Sequence, residues 1–219
     1  WQADGTVYAQ VNDARLDEIR RHVTVPKAMI AGHGNARIWL DFDTAAPTLA
    51  VPNEAMRAST PLRAITADVH LSGAKAKLGD DLEPLDISEL SGRLEYRAAD
   101  AGFTMASKGL ALRTANGVKM APADFSLTLK DQNDAARAGG EMTGNGIDLK
   151  VMTALLEFFP VGKDVRRVAN DFSPRGSIQN TRYAWRGPLG SPTGYEFKGT
   201  LSGFSLNQFE NLPGISGFT

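Results

Sequence analysis

The chain has no cysteine among its 219 residues. That excludes disulfide bonds and thiolate metal sites, and it is compatible with either a reducing or an oxidising compartment. It also lacks an excess of charge. Lysine and arginine number 24 against 25 acidic residues, a net charge of −1, so there is no basic footprint for nucleic acid and no charge-driven attraction to anionic membrane surfaces. Long apolar runs are missing too. The longest, Val151–Val161, contains Glu157 and is broken by Pro160, too short for a membrane-spanning helix. No signal peptide begins at Trp1, no initiator methionine is present, and a new strand is starting at Gly214–Gly217 as the chain stops. These ends predict an internal piece of a longer protein.

Histidine is scarce. His22, His33 and His70 fall on a helix, in a glycine loop and on the polar face of a strand, with no zinc-ligand spacing; surface or loop roles account for them. Asp41 and Asp43 flank Phe42 and point to one side of a strand end, but no further acid or calcium loop accompanies them. Gly32-His33-Gly34 and Gly144-Asn145-Gly146 lack the third glycine, and the first lacks the following helix, of a dinucleotide-binding loop. No nucleophile elbow or phosphate loop stands out. The expectation is a protein that is not an enzyme and carries no cofactor or metal.

What the chain has in quantity is alternation and glycine. Apolar residues fall at every second position in Thr6–Val11, Ala36–Phe42, Gly92–Arg97, Asp124–Leu129 and Arg182–Arg186, the signature of strands with one apolar and one polar face. A unit of strand, glycine, short strand recurs at Ala67–Leu78, Gly102–Arg113, Gly140–Leu149 and Gly194–Leu206. Its glycines, Gly73, Gly109, Gly146 and Gly203, occupy matching places and mark bulges or bends; repeated on one line they would curl the sheet. Self-similarity of this kind predicts a stacked, elongated architecture. The unit runs through residues 1–219 as a single repeat-built β domain of roughly ten strands, on the order of 50 Å long.

Two helical insertions interrupt the pattern. Asn12 or Asp13 is placed to cap a helix with Leu16, Ile19 and Val23 on one face, and Asp148 to cap another presenting Leu149, Met152, Leu155, Leu156 and Phe159, with a further turn or two at Val165 and Val168. Glycine-bearing loops, Ala31–Gly34 and Ser173–Gly176, lead out of them. The helices either close one end of an apolar channel or cover part of a core. Pro47, Pro52 and Pro61 make Asp43–Arg63 an irregular connection.

The candidate functional element is the apolar strand face: Val69, Leu71, Leu94, Tyr96, Phe103, Met105, Leu110, Leu112, Phe125, Leu127, Leu129, Ile147, Leu149, Tyr195, Phe197, Leu201, Phe204 and Leu206. Two arrangements satisfy it: a sandwich in which two such faces pack, or a curled sheet whose apolar face lines a groove for something else.

The runs Ala36–Phe42, Pro84–Tyr96, Lys108–Thr114, Ala121–Leu127, Pro174–Gly176 and Leu212–Gly217 resemble the YhdP family, of the AsmA-like superfamily of Gram-negative envelope proteins. The resemblance covers nearly the whole chain, most strongly Asp86 to Leu129. It implies a mainly β protein, an elongated and curved antiparallel sheet folded into a U-shaped trough. It further implies the periplasmic part of an inner-membrane-anchored protein that carries glycerophospholipid between inner and outer membrane. Its partners would be phospholipid acyl chains, neighbouring segments of the same protein and other envelope proteins. A structural module for outer-membrane biogenesis, acting through protein contacts, is the alternative.

Overall fold

The computed structural model describes residues 3–21, 28–44, 62–99, 101–131, 134–159, 162–189, 191–208 and 213–218. His22, Val23 and most of the irregular connection expected between Asp43 and Arg63 lie outside them. In chain order the elements are β1 (Ala3–Arg15), α1 (Leu16–Ile19), β2 (Met29–Thr44), β3 (Leu62–Ala76), β4 (Leu85–Ala99), β5 (Gly102–Thr114) and β6 (Lys119–Lys130). They continue with β7 (Gly139–Asn145), β8 (Ile147–Asp148), α2 (Leu149–Leu156), α3 (Lys163–Phe172), β9 (Arg175–Arg186), β10 (Gly194–Leu206) and β11 (Ile215–Phe218). The strands form one 11-stranded sheet in the order β1-β2-β3-β4-β5-β6-β7-β9-β10-β11, with β8 pairing β9. Every pairing is antiparallel. From β3 to β7 short connections make each strand pair with the next in the chain, as the alternating runs and turn residues require. At Asn116-Gly117, for example, Gly117 takes φ +89 and Thr114 and Val118 close the hairpin, the Thr114 N–H donating to the Val118 carbonyl at 2.9 Å.

The repeated glycines act as anticipated within strands, but they do not share one line. Gly73, Gly109, Gly146 and Gly203 all adopt left-handed φ, from +55 to +76. Gly73, Gly109 and Gly203 each supply the extra residue of a bulge against the neighbouring strand without ending their own; only Gly146 separates two strands. Asp13 (φ +50) and Asn180 (φ +51) hold the same conformation in β1 and β9. The pairing register sets Asp13, Gly109 and Asn180 near one transverse line, while Gly73 and Gly203 are displaced toward the rim that carries the helices. At three of these sites an amide or carboxylate on the partner strand accepts the bulge N–H. Asn35 Oδ1 takes Asp13 N–H at 2.8 Å, Asp124 Oδ1 takes Gly109 N–H at 2.7 Å, and Asn145 Oδ1 takes Asn180 N–H at 3.4 Å. A bulge frees a donor from the ladder, and an Asx side chain opposite satisfies it.

The small packed core sits at the helical rim. Ala74, Leu85, Ile87, Leu112 and Leu155 are buried together, with Leu71, Leu90, Val118, Met120, Val151 and Phe158 against them. Asp148 caps α2 as expected, its carboxylate accepting the Val151 N–H at 3.0 Å. The packed stripe of α2 is Val151, Leu155 and Phe158, at i, i+4 and i+7. Of the expected face Leu149, Met152, Leu155, Leu156 and Phe159, Leu155 is the buried member, while Phe159 is exposed and its place is taken by Val151 and Phe158. α2 therefore covers part of the sheet rather than sealing a channel. α1 is a single turn whose N-cap position is Arg15, without a side-chain cap. Asn12 and Asp13 belong to β1 instead, because the bulge at Asp13 carries the ladder on to Arg15. The expected glycine loops are also strand: Ala31–Gly34, with His33, lies in β2, and Gly176 in β9.

Candidate functional site

Register turns the separate alternating strands into continuous lines. One rung reads Val7, Leu40, Ile65, Tyr96, Met105, Leu127, Met142, Tyr183 and Phe197, each the cross-strand partner of the next from β1 to β10. Partners on one rung share a face, so this is an unbroken apolar track on the order of 40 Å long at about 4.8 Å per strand. Parallel rungs add Leu94 and Phe125 on one side and Phe103, Leu129, Trp185 and Tyr195 on the other. Aromatic pairs line it: Tyr183 with Trp185 at 5.6 Å, Tyr183 with Tyr195 at 6.4 Å, and Tyr96 with Phe103 at 5.9 Å between ring centroids.

Outside the patch under α2, no second layer covers this face among the described residues. Tyr195 is 77% exposed, Phe197 56%, Met105 49% and Met142 47%, and among the described residues no large side chain is fully buried. The accessible surface is 15041 Å² for 23.5 kDa, against about 9,800 Å² for a compact monomer of that mass. A packed sandwich would show the opposite on both counts. The groove arrangement is the one realised. Most lining residues nonetheless keep only intermediate exposure, and α2 packs onto this same face.

The sequence-derived candidates fall on this face with one exception. Val69, Leu94, Tyr96, Phe103, Met105, Leu110, Phe125, Leu127, Leu129, Ile147, Tyr195, Phe197, Leu201, Phe204 and Leu206 are strand residues there. Leu71 and Leu112 share the face but pack beneath α2, so they belong to the core rather than to the open track. Leu149 is the exception, since it opens α2: the Asp148 cap ends the strand pattern one residue before it. Val7, Leu40, Ile65, Met142 and Tyr183 were not among the candidates. All but Ile65 lie in segments whose strand or repeat character is legible, yet only pairing puts them on one rung.

The opposite face is polar and ion-paired. Asp68 takes a two-pronged contact from Arg93 at 2.6 and 3.0 Å and lies 3.5 Å from Arg37. Lys108 pairs with Glu95 at 3.2 Å, Arg182 with Glu141 at 2.6 Å and with Glu196 at 3.0 Å, and Lys198 with Glu196 at 2.8 Å. Thr104–Thr128 and Ser126–Thr143 hydroxyl pairs fill the centre. Exposed pairs of this kind contribute little each; their weight lies in register, because a slip of one residue would turn the ladder into the apolar groove. His70 lies on this face, as anticipated, and Asp41 accepts a hydrogen bond from the Thr6 hydroxyl at 2.7 Å. Among the described residues no three His, Asp or Glu side chains gather as a metal would need, and no helix is long and apolar enough to cross a membrane.

The Arg93 hydrogen bond and charge, with Arg37 adding to them, hold the Asp68 carboxyl below its ordinary 3.8. A depressed folded value means stability that is present above the unfolded pKa and lost as pH falls through the folded one. Asp68→Asn is therefore expected to lower the unfolding midpoint at neutral pH, with the gap from wild type closing on acidification below 3.8. A gap that persists unchanged in acid would show that the pair contributes nothing through charge.

An open antiparallel sheet, apolar on one face and ion-laddered on the other, bent by repeated bulges, defines the class: a β-trough protein. The model of the family described as YhdP protein matches residues 2–219, and the chain belongs to the YhdP family, a family of envelope proteins. Neither the curated proteins nor the solved structures compared give a match.

Proposed function

We propose that this chain is a non-enzymatic segment of a bridge-like lipid transport protein, through which glycerophospholipid passes between inner and outer membrane along the apolar face. The reading places the segment in the periplasm, in series with neighbouring segments of the same protein. The observation that carries it is the apolar rung from Val7 to Phe197, uncovered for most of its length. An acyl chain laid on such a surface recovers about 0.8 kcal/mol for each methylene withdrawn from water, which compensates for leaving a bilayer. Along the rung one apolar side chain follows another with no charged group between them, so a chain can move from strand to strand without breaking a specific bond. Family membership supports a role of this kind.

A photocrosslinking residue at Leu127, the middle of the rung, tests it in cells. The expected product is a phospholipid adduct. Adducts with a stoichiometric protein partner and none with lipid would overturn the conduit and favour the assembly module.

A further inference from the structure

The middle of the apolar rung reads the same from either end. Tyr96, Met105, Leu127, Met142 and Tyr183 are successive cross-strand partners from β4 to β9. Two methionines therefore flank one leucine, and a tyrosine closes each side. The methionines stand two strands apart, about 10 Å. Both are exposed, Met105 at 49% and Met142 at 47%, and neither belongs to the core under α2. The other described methionines are more covered. Met29 and Met152 are half-buried, and Met120 packs against that core.

Thioether side chains are soft and unbranched, which suits a surface crossed by chains of varied shape. The same sulfur is open to two-electron oxidation wherever an oxidant can reach it. With hydrogen peroxide, the sulfur lone pair takes one oxygen as the O–O bond breaks. The other oxygen leaves as hydroxide and is protonated to water. The product is a sulfoxide, polar and chiral where the thioether was apolar. Sulfoxides on both sides of Leu127 interrupt the apolar run at its centre. An acyl chain lying across them strips water from each S–O dipole and offers no donor in return. We propose that Met105 and Met142 are an oxidation site for small peroxides, and that their conversion to sulfoxides closes the track to lipid. The proposal rests on the lipid reading above and adds to it a redox control at two named sulfurs.

The test uses the full protein with a photocrosslinking residue at Leu127, treated with hydrogen peroxide, freed of it and offered phosphatidylglycerol vesicles. Peptide mapping is expected to find oxygen added at Met105 and Met142 ahead of Met120. Lipid capture should fall at least about fivefold, with the thermal transition retained. The Met105→Leu, Met142→Leu variant should capture lipid equally before and after peroxide, since leucine keeps an apolar side chain of similar size. Methionine sulfoxide reductases with a thiol donor should restore capture by the oxidised protein. Oxidation of Met120 first, or equal loss of capture in the leucine variant, overturns the site. So does undiminished capture by protein carrying both sulfoxides. Loss of capture together with the thermal transition would mean unfolding, and overturns it as well. Protein that captures no lipid before peroxide sinks the conduit reading, and the closure built on it.

Discussion

Phe197→Asp is expected to cut lipid capture by the trough at least about tenfold while leaving the fold intact. Phe197 ends the continuous rung and is 56% exposed, so little stability depends on it. In an empty trough the new carboxylate stays hydrated. Once an acyl chain lies across it, that hydration is lost without a partner, at a cost above the 1.4 kcal/mol that corresponds to a factor of ten. Loss of an exposed aromatic from a strand costs about 1 kcal/mol, a shift of about 2–4 °C in the thermal midpoint at this size. Phe197→Leu should behave as wild type. Native mass spectrometry of co-purified lipid, read beside a thermal melt, separates the outcomes. Undiminished lipid in the aspartate variant would mean that the chains do not run over this rung.

Gly34→Ala is expected to have a large effect on stability. Gly34 pairs with Leu71 in β3, takes φ +152, and an added Cβ would lie 2.1 Å from the His70 carbonyl oxygen and 2.9 Å from the Leu71 Cα. Those are backbone atoms of a paired strand, so relief requires opening the ladder. A loss of about 3 kcal/mol or more is expected. Gly109→Ala is the control. Gly109 has φ +58 but nothing within 4 Å of its Cβ position, so only the left-handed conformation is penalised, about 1–2 kcal/mol. Equal losses in denaturant titrations of the two variants would refute close strand approach as the reason for Gly34.

The candidate face was legible in proportion to how local its causes are. Alternation in Asp124–Leu129 and the glycines of the repeated unit betray strand, face and bulge, because each depends on a few consecutive residues. The cap at Asp148 is equally local. Leu155 was expected on the packed face of α2, but Val151 and Phe158 were missed because they are chosen by what they meet, the core of Leu85, Ile87 and Leu112 on strands far back in the chain. Nothing in their immediate neighbourhood marks Asn35, Asp124 or Asn145. Their role as acceptors for bulge N–H groups exists only once the partner strands are aligned.

Local order along the chain was therefore enough for a β repeat with one apolar and one polar face, since side-chain direction follows from a period of two. Which residues share a rung, and which part of the apolar face a helix covers, were decided in three dimensions. Those depend on pairing register and curvature, set by contacts between distant segments. The rung from Val7 to Phe197 is the plainest case: nine residues spread over most of the chain become neighbours only through strand pairing.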